Sequence, residues 1–144
     1  SWVSGRPEGA RLAERLFAAG ERGVDPVRGA VMDSLEADFS ARDRSARLWP
    51  QTERLKAAHL LARRADPEAM PAYLAAAREA ARTLASYLEV PLPGLWRDQL
   101  GPDGQFAEGP APGSSFYHIV AAIAEVSGIR ITPAPDARKA ACAS

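Results

Sequence analysis

The side chains best suited to chemistry gather at two places where a loop turns into a helix. In Pro112-Gly-Ser-Ser-Phe-Tyr-His118-Ile-Val, a Pro/Gly-rich loop enters a helical pattern and delivers one of the chain's 2 histidines in the first turn. In Arg47-Leu-Trp-Pro-Gln-Thr-Glu53, a second start presents Trp49 and Glu53 one turn apart, hence on one helix face. An imidazole that accepts and returns protons near neutral pH suits His118 to general acid/base work. The plainer reading is a solvated histidine at a helix start. At about 100° per residue His118 falls off the Phe116, Ile119, Ile123 stripe, beside Ala122 and Glu125, and the wheel suits both readings. Glu53 and Trp49 likewise fit either a polar, aromatic pocket wall or a dipole-favoured surface glutamate beside a packed tryptophan.

Trp96 and Asp98 alternate onto one face of a short extended stretch with Arg97 on the other, and a tryptophan there serves a core edge as well as a ligand. His59 lies too far along its helix to join a cluster at the helix start and reads as structural. No HExxH, CxxC, P-loop, GxGxxG or GxSxG occurs, which removes the common zinc, nucleotide and hydrolase-elbow readings. One histidine among scattered carboxylates is a poor metal set, so neither metal nor organic cofactor is expected.

The elements that must position these residues follow from periodicity and turn chemistry. Pro7 to Ala19 reads as a helix with Leu12, Leu16 and Ala19 on its apolar stripe, adjoined by Ala13 and Phe17 and stopped by Gly20 and Gly23. Residues 24–46 read as a small hairpin or irregular excursion. Pro50 fits the first position of a second helix, with Trp49 as cap, running to about Arg64 with Leu55, Ala58 and Ala62 inward. Asp66-Pro67 opens a third, delayed or kinked by Pro71, that runs to about Leu88 with Tyr73, Ala77, Ala80, Leu84 and Tyr87 on one stripe. Leu95 to Leu100, the turn Gly101-Pro-Asp-Gly104, and Gln105-Phe-Ala form a second expected hairpin. Ser114 then caps a helix to about Val126, ended by Gly128. Residues 132–144 read as a loose tail.

The order helix, hairpin, helix occurs twice. Paired helices repeated in this way bury their stripes only against neighbours, which favours arrays or closed toroids whose inner helices all point one way. On that reading the helices from Pro50 and Ser114 are both inner ones, and their starts share a rim.

Composition narrows the class. The 144 residues are of single-domain size, 47% hydrophobic and 25% charged, with 18 basic against 18 acidic residues. Such balance recommends neither nucleic acid nor an anionic membrane as partner. No run approaches the roughly 18 apolar residues of a membrane span. The single cysteine, Cys142, fits a reducing compartment, so a cytoplasmic location is expected. The chain starts at Ser1 rather than Met, as if cut from inside a helix.

The ordered set Arg47-Leu-Trp-Pro-Gln-Thr-Glu53-Arg-Leu-Lys-Ala, Gly94-Leu-Trp-Arg-Asp98, Pro102-Asp-Gly104 and Pro110-Ala-Pro-Gly-Ser-Ser-Phe-Tyr-His118-Ile resembles the N-acylglucosamine 2-epimerase superfamily, and within it the mannose or mannose-6-phosphate isomerase-like branch. The resemblance implies an all-α, (α/α)6 toroid with short β-hairpins at its rim. It implies a sugar isomerase or epimerase that moves a proton between C1 and C2, or inverts C2, by histidine acid/base chemistry. His118 matches the family's C-terminal catalytic histidine. Trp49 and Glu53 match its sugar-binding wall, Trp96 matches a hairpin aromatic near the pocket, and Arg47 and Arg97 are candidates for a phosphate. The family's other histidine belongs to an upstream His-x-x-Glu-Trp motif that has no match here. Residues 1–131 are therefore expected to be the C-terminal part of the barrel domain, acting on a monosaccharide or sugar phosphate together with a missing N-terminal half. A partial toroid leaves helix faces bare, so poor solubility, self-association including a homodimer, or marginal stability of the isolated chain is expected. Two other classes stay open. One is a non-catalytic carbohydrate- or protein-binding module on the same fold; the other is a glycosidase using Glu53 and Asp98, against which the histidine argues.

Overall fold

The computed structural model describes residues 7–128; the expected tail at 132–144 lies outside the described residues. Four helices dominate: α1 (Pro7–Glu21), α2 (Leu48–Ala62), α3 (Met70–Leu88) and α4 (Ser115–Ser127). Four short strands lie between them: β1 (Ser34–Leu35), β2 (Ala41–Asp43), β3 (Ala46–Arg47) and β4 (Gln99–Leu100). The described residues thus bear out an essentially helical fold with small antiparallel sheets.

Packing centres on α2. It lies against α3, to which a short loop joins it, and against α4, and it makes a lesser contact with α1. Small residues let these helices approach closely: Ala58 on α2, Ala80 on α3 and Ala122 on α4 are fully buried, alongside Leu55, Leu84 and Ile119. The expected inward residues of α2 and α3 are buried, apart from Tyr73, which is partly exposed and meets Phe17 edge-on at 5.6 Å. Glu53 near the start of α2 touches His118 near the start of α4, and Arg63 just past the end of α2 approaches Glu125 near the end of α4 at 3.8 Å. These helices therefore run parallel, with their starts together.

The second helix begins at Leu48, two residues before the expected Pro50, and Arg47 rather than Trp49 occupies the cap position. Two contacts explain the shift: the Leu48 N–H donates to the Asp98 carbonyl at 2.8 Å, and the Gln51 amide donates to the Arg47 carbonyl at 2.9 Å. Pro50 still sits within the first turn, where a missing N–H costs little. Pro71 does delay α3, which starts at Met70 rather than at Pro67. Gly128 ends α4 with φ 68°, a left-handed conformation open to glycine.

The second hairpin is smaller than expected. Only Gln99 and Leu100 are in a strand, and their main partners are Arg47 and Ala46 of β3. The turn survives, since the Ala107 N–H returns to the Gln99 carbonyl at 2.9 Å and Leu100 bridges Phe106. This β3–β4 pairing ties the approach to α2 to the segment that leads into α4. Tyr87 reinforces it from α3: its hydroxyl, fully buried, donates to the Ala46 carbonyl at 2.8 Å.

Helix α1 departs most from expectation. Leu12 and Leu16, assigned to its inward stripe, are 53% and 64% exposed, and only Phe17 of that group packs against the core. An apolar groove of about 430 Å³ remains between α1 and α2.

Candidate active site

The starts of α2 and α4 bring His118, Glu53 and Trp49 together. His118 Nδ1 lies 3.0 Å from Glu53 Oε1, and the Trp49 and His118 rings are 6.0 Å apart, tilted by 40°. The same Glu53 oxygen is ion-paired with the Lys56 ammonium, Nζ lying 2.7 Å away. Burial pushes the Glu53 carboxyl up, but the Lys56 ammonium and the His118 ring outweigh it and hold the group below its ordinary value. Glu53 is therefore an anion at neutral pH. A carboxylate only accepts, so Nδ1 must carry the hydrogen and, in the neutral ring, Nε2 keeps the lone pair.

Local sequence explains this presentation. In Trp49-Pro-Gln-Thr-Glu53 the side chains divide by helix face. Gln51 and Thr52 are fully buried, whereas Trp49 is 47% exposed and Glu53 about as open. Gln51 receives the Val31 N–H at 2.8 Å and donates to the Val31 carbonyl at 3.0 Å, so it completes the backbone bonding of the loop that follows α1. Thr52 bonds back to the Trp49 carbonyl at 2.7 Å. The buried half of the motif holds the helix start in place, and the open half, Trp49 and Glu53, borders the groove between α1 and α2.

On α4 the expected stripe holds only at Ile119. Ser115, Ile119 and Ala122 are buried, while Phe116 and Ile123 are 56% and 48% exposed. His118 therefore stands at the edge of the face turned to α2, beside Ala122, rather than on the far side of the helix. The close approach of α2 through Ala122 is what brings Glu53 within reach. Ser114 makes no side-chain capping bond. Instead the Ser115 hydroxyl donates to Asp98 Oδ1 at 2.6 Å, which sets a carboxylate at the positive end of the helix.

The remaining candidates have partners of their own. Trp96 stacks on Phe116 with centroids 5.9 Å apart and a 25° tilt, so it borders α4 two residues before His118. Trp96 and Asp98 do share the α4 side, while Arg97 lies over Phe106 at 4.8 Å on the other. Arg47 pairs with Asp33 at 3.3 Å. His59 sits further along α2, its carbonyl accepting from the Arg63 N–H at 3.2 Å. Lys56 and Tyr117 were not singled out from the sequence. Lys56 could have been found from its three-residue spacing from Glu53, and Tyr117, edge-on to His118 at 5.5 Å, from its adjacency to the histidine. Among the described residues no three His, Cys, Asp or Glu side chains group as metal ligands, and no helix is long and apolar enough to cross a membrane.

An acid/base imidazole backed by a carboxylate, beside an open indole, is suited to proton transfer on a ring-shaped polar substrate. The family model described as N-acylglucosamine 2-epimerase (GlcNAc 2-epimerase) matches residues 4–122. Mannose-6-phosphate isomerase of Rhizobium meliloti (strain 1021) is 50% identical over 115 residues, 79% of this chain and 30% of the relative, so the chain spans under a third of that protein's length. With its family pattern matched from before α1 into α4, the chain belongs to the N-acylglucosamine 2-epimerase family.

Proposed function

We propose that this chain carries one acid/base group and part of the sugar-binding wall of an isomerase or epimerase acting on a mannose-type sugar. The observation that carries the reading is the His118 Nδ1 to Glu53 Oε1 contact at 3.0 Å beside Trp49, in a chain of this family. Glu53 holds the ring so that Nε2 exchanges the proton next to the sugar carbonyl. Removing the C2 proton gives an enediolate. Returning the proton to C1 interconverts aldose and ketose, and returning it to the opposite face of C2 inverts that centre. Trp49 supplies a flat apolar surface for the sugar ring, Trp96 is a second candidate aromatic contact, and Arg47 is the candidate contact for a phosphate. The parallel α2 and α4 act as neighbouring inner helices of an (α/α)6 toroid. The second acid/base group comes from polypeptide beyond these 144 residues. The single cysteine of these 144 residues fits a reducing cytoplasm.

The test is solvent-hydrogen exchange. Incubated in heavy water with mannose, mannose 6-phosphate or an N-acylglucosamine, the complete enzyme should place deuterium at C2 of one of them. Binding of such a sugar with no exchange and no conversion would instead identify a non-catalytic carbohydrate module.

A further inference from the structure

Glu53 is 43% exposed, and a glutamate that open has several rotatable bonds with little packing to choose among their states. It nonetheless has to present one oxygen steadily to His118. Lys56, one helical turn along α2, provides the missing restraint. Its side chain is only 24% exposed, so the stem is packed, and its ammonium reaches the same Oε1 that meets the imidazole. Two donors from two helices thus converge on one oxygen. Oε2 is left without a hydrogen-bonding partner among the described residues.

We propose that Lys56 is a positioning residue: it fixes the Glu53 carboxylate so that Oε1 receives the His118 Nδ1–H, which leaves Nε2 free for proton transfer and Oε2 free for a sugar hydroxyl. The inference rests on the isomerase reading for its catalytic consequence, but not for its effect on the imidazole. Nearby charges do not duplicate the role. Glu21 of α1 and Arg54 line the groove beside Glu53 but bond to each other at 2.7 Å. Asp98 is engaged by Ser115, and Glu125 of α4 by Arg63. A charged hydrogen bond to a carboxylate is roughly twice as strong as a neutral one, which suits an ammonium to this task.

The experiment compares Lys56→Met and Lys56→Arg in the complete enzyme. Methionine keeps the packed stem and removes the charge; arginine keeps the charge and guards against a loss of folding being mistaken for a loss of function. With histidines labelled with nitrogen-15, and the His118 signals assigned by their loss in His118→Ala, Lys56→Met should lower the share of the Nδ1–H tautomer. It should also reduce kcat about tenfold with KM changed less than about twofold, a part of the 10²–10⁴ that general acid/base catalysis contributes. Lys56→Arg should restore both toward wild type. An unchanged tautomer in Lys56→Met would overturn the proposal. So would a raised KM at normal kcat, which would make Lys56 a substrate contact instead. If the wild-type enzyme exchanges no sugar hydrogen, the isomerase reading fails while the tautomer comparison still decides the role of Lys56.

Discussion

Glu53 and Arg54 are adjacent on α2 and belong to two very different clusters of charge. Arg54 is 7% exposed and binds Glu21 of α1 through two nitrogens, at 2.7 and 2.8 Å. It also meets Glu79 of α3 and the Gly29 carbonyl, at 3.2 Å for the latter. Gly29 has φ 65° and lies so close to α3 that a Cβ there would meet the Thr83 hydroxyl at 3.2 Å. All three guanidinium nitrogens of Arg54 are engaged in holding three segments to α2. Glu53 has one oxygen spent and one open, and it faces a histidine with an unengaged ring nitrogen. A closed cluster stabilises the fold; an open one retains capacity for a ligand.

Breaking the closed cluster should act on stability. Arg54→Ala leaves Glu21 and Glu79 without their cation and should cost about 3 kcal/mol, at the low end for a broken buried pair because both carboxylates keep access to water. A thermal melt of the complete enzyme should show the loss, while turnover below the melting range stays within a few-fold of wild type. Loss of turnover at unchanged stability would instead assign Arg54 to the site.

A second closed cluster sharpens the comparison through pH. Asp25 is 1% exposed; burial pushes its carboxyl up, but hydrogen bonds from Arg44, Arg28 and Val27 outweigh this and hold it far below the usual carboxylate range. With the folded value depressed, its stabilising contribution is complete above the unfolded value of about 3.9, shrinks as pH falls below that, and is gone once pH has fallen through the folded value. Asp25→Asn should therefore be less stable by a constant margin from neutral pH down to about pH 4, and the margin should narrow below that. Denaturant midpoints measured across pH check it; a margin that widened on acidification would contradict the assignment.

How much of this was legible in the sequence depended on whether the determining contact was local. The ends of α3 and α4 were readable because Pro71 and Gly128 act on their own backbone. The start of α2 was misjudged because Asp98, far along the chain, supplies the partner for the Leu48 N–H. The two-residue β3–β4 pairing has no periodic signature at all. The face of α4 was misjudged because the wheel was weighted by large side chains, whereas Ser115 and Ala122 admit the neighbouring helix by being small. The motif drew Trp49, Glu53 and His118 together correctly as neighbours, but gave no sign that Gln51 within it is a buried brace, or that Lys56 shares the Glu53 oxygen.

The most direct test of the open cluster as the reacting one is the rate at which the complete His118→Ala enzyme exchanges solvent hydrogen into C2 of its sugar. Exchange should fall by at least about a hundredfold, with a melting temperature close to wild type because the ring is half-open and closes no buried network. Exchange at the wild-type rate in a folded His118→Ala enzyme would contradict the account.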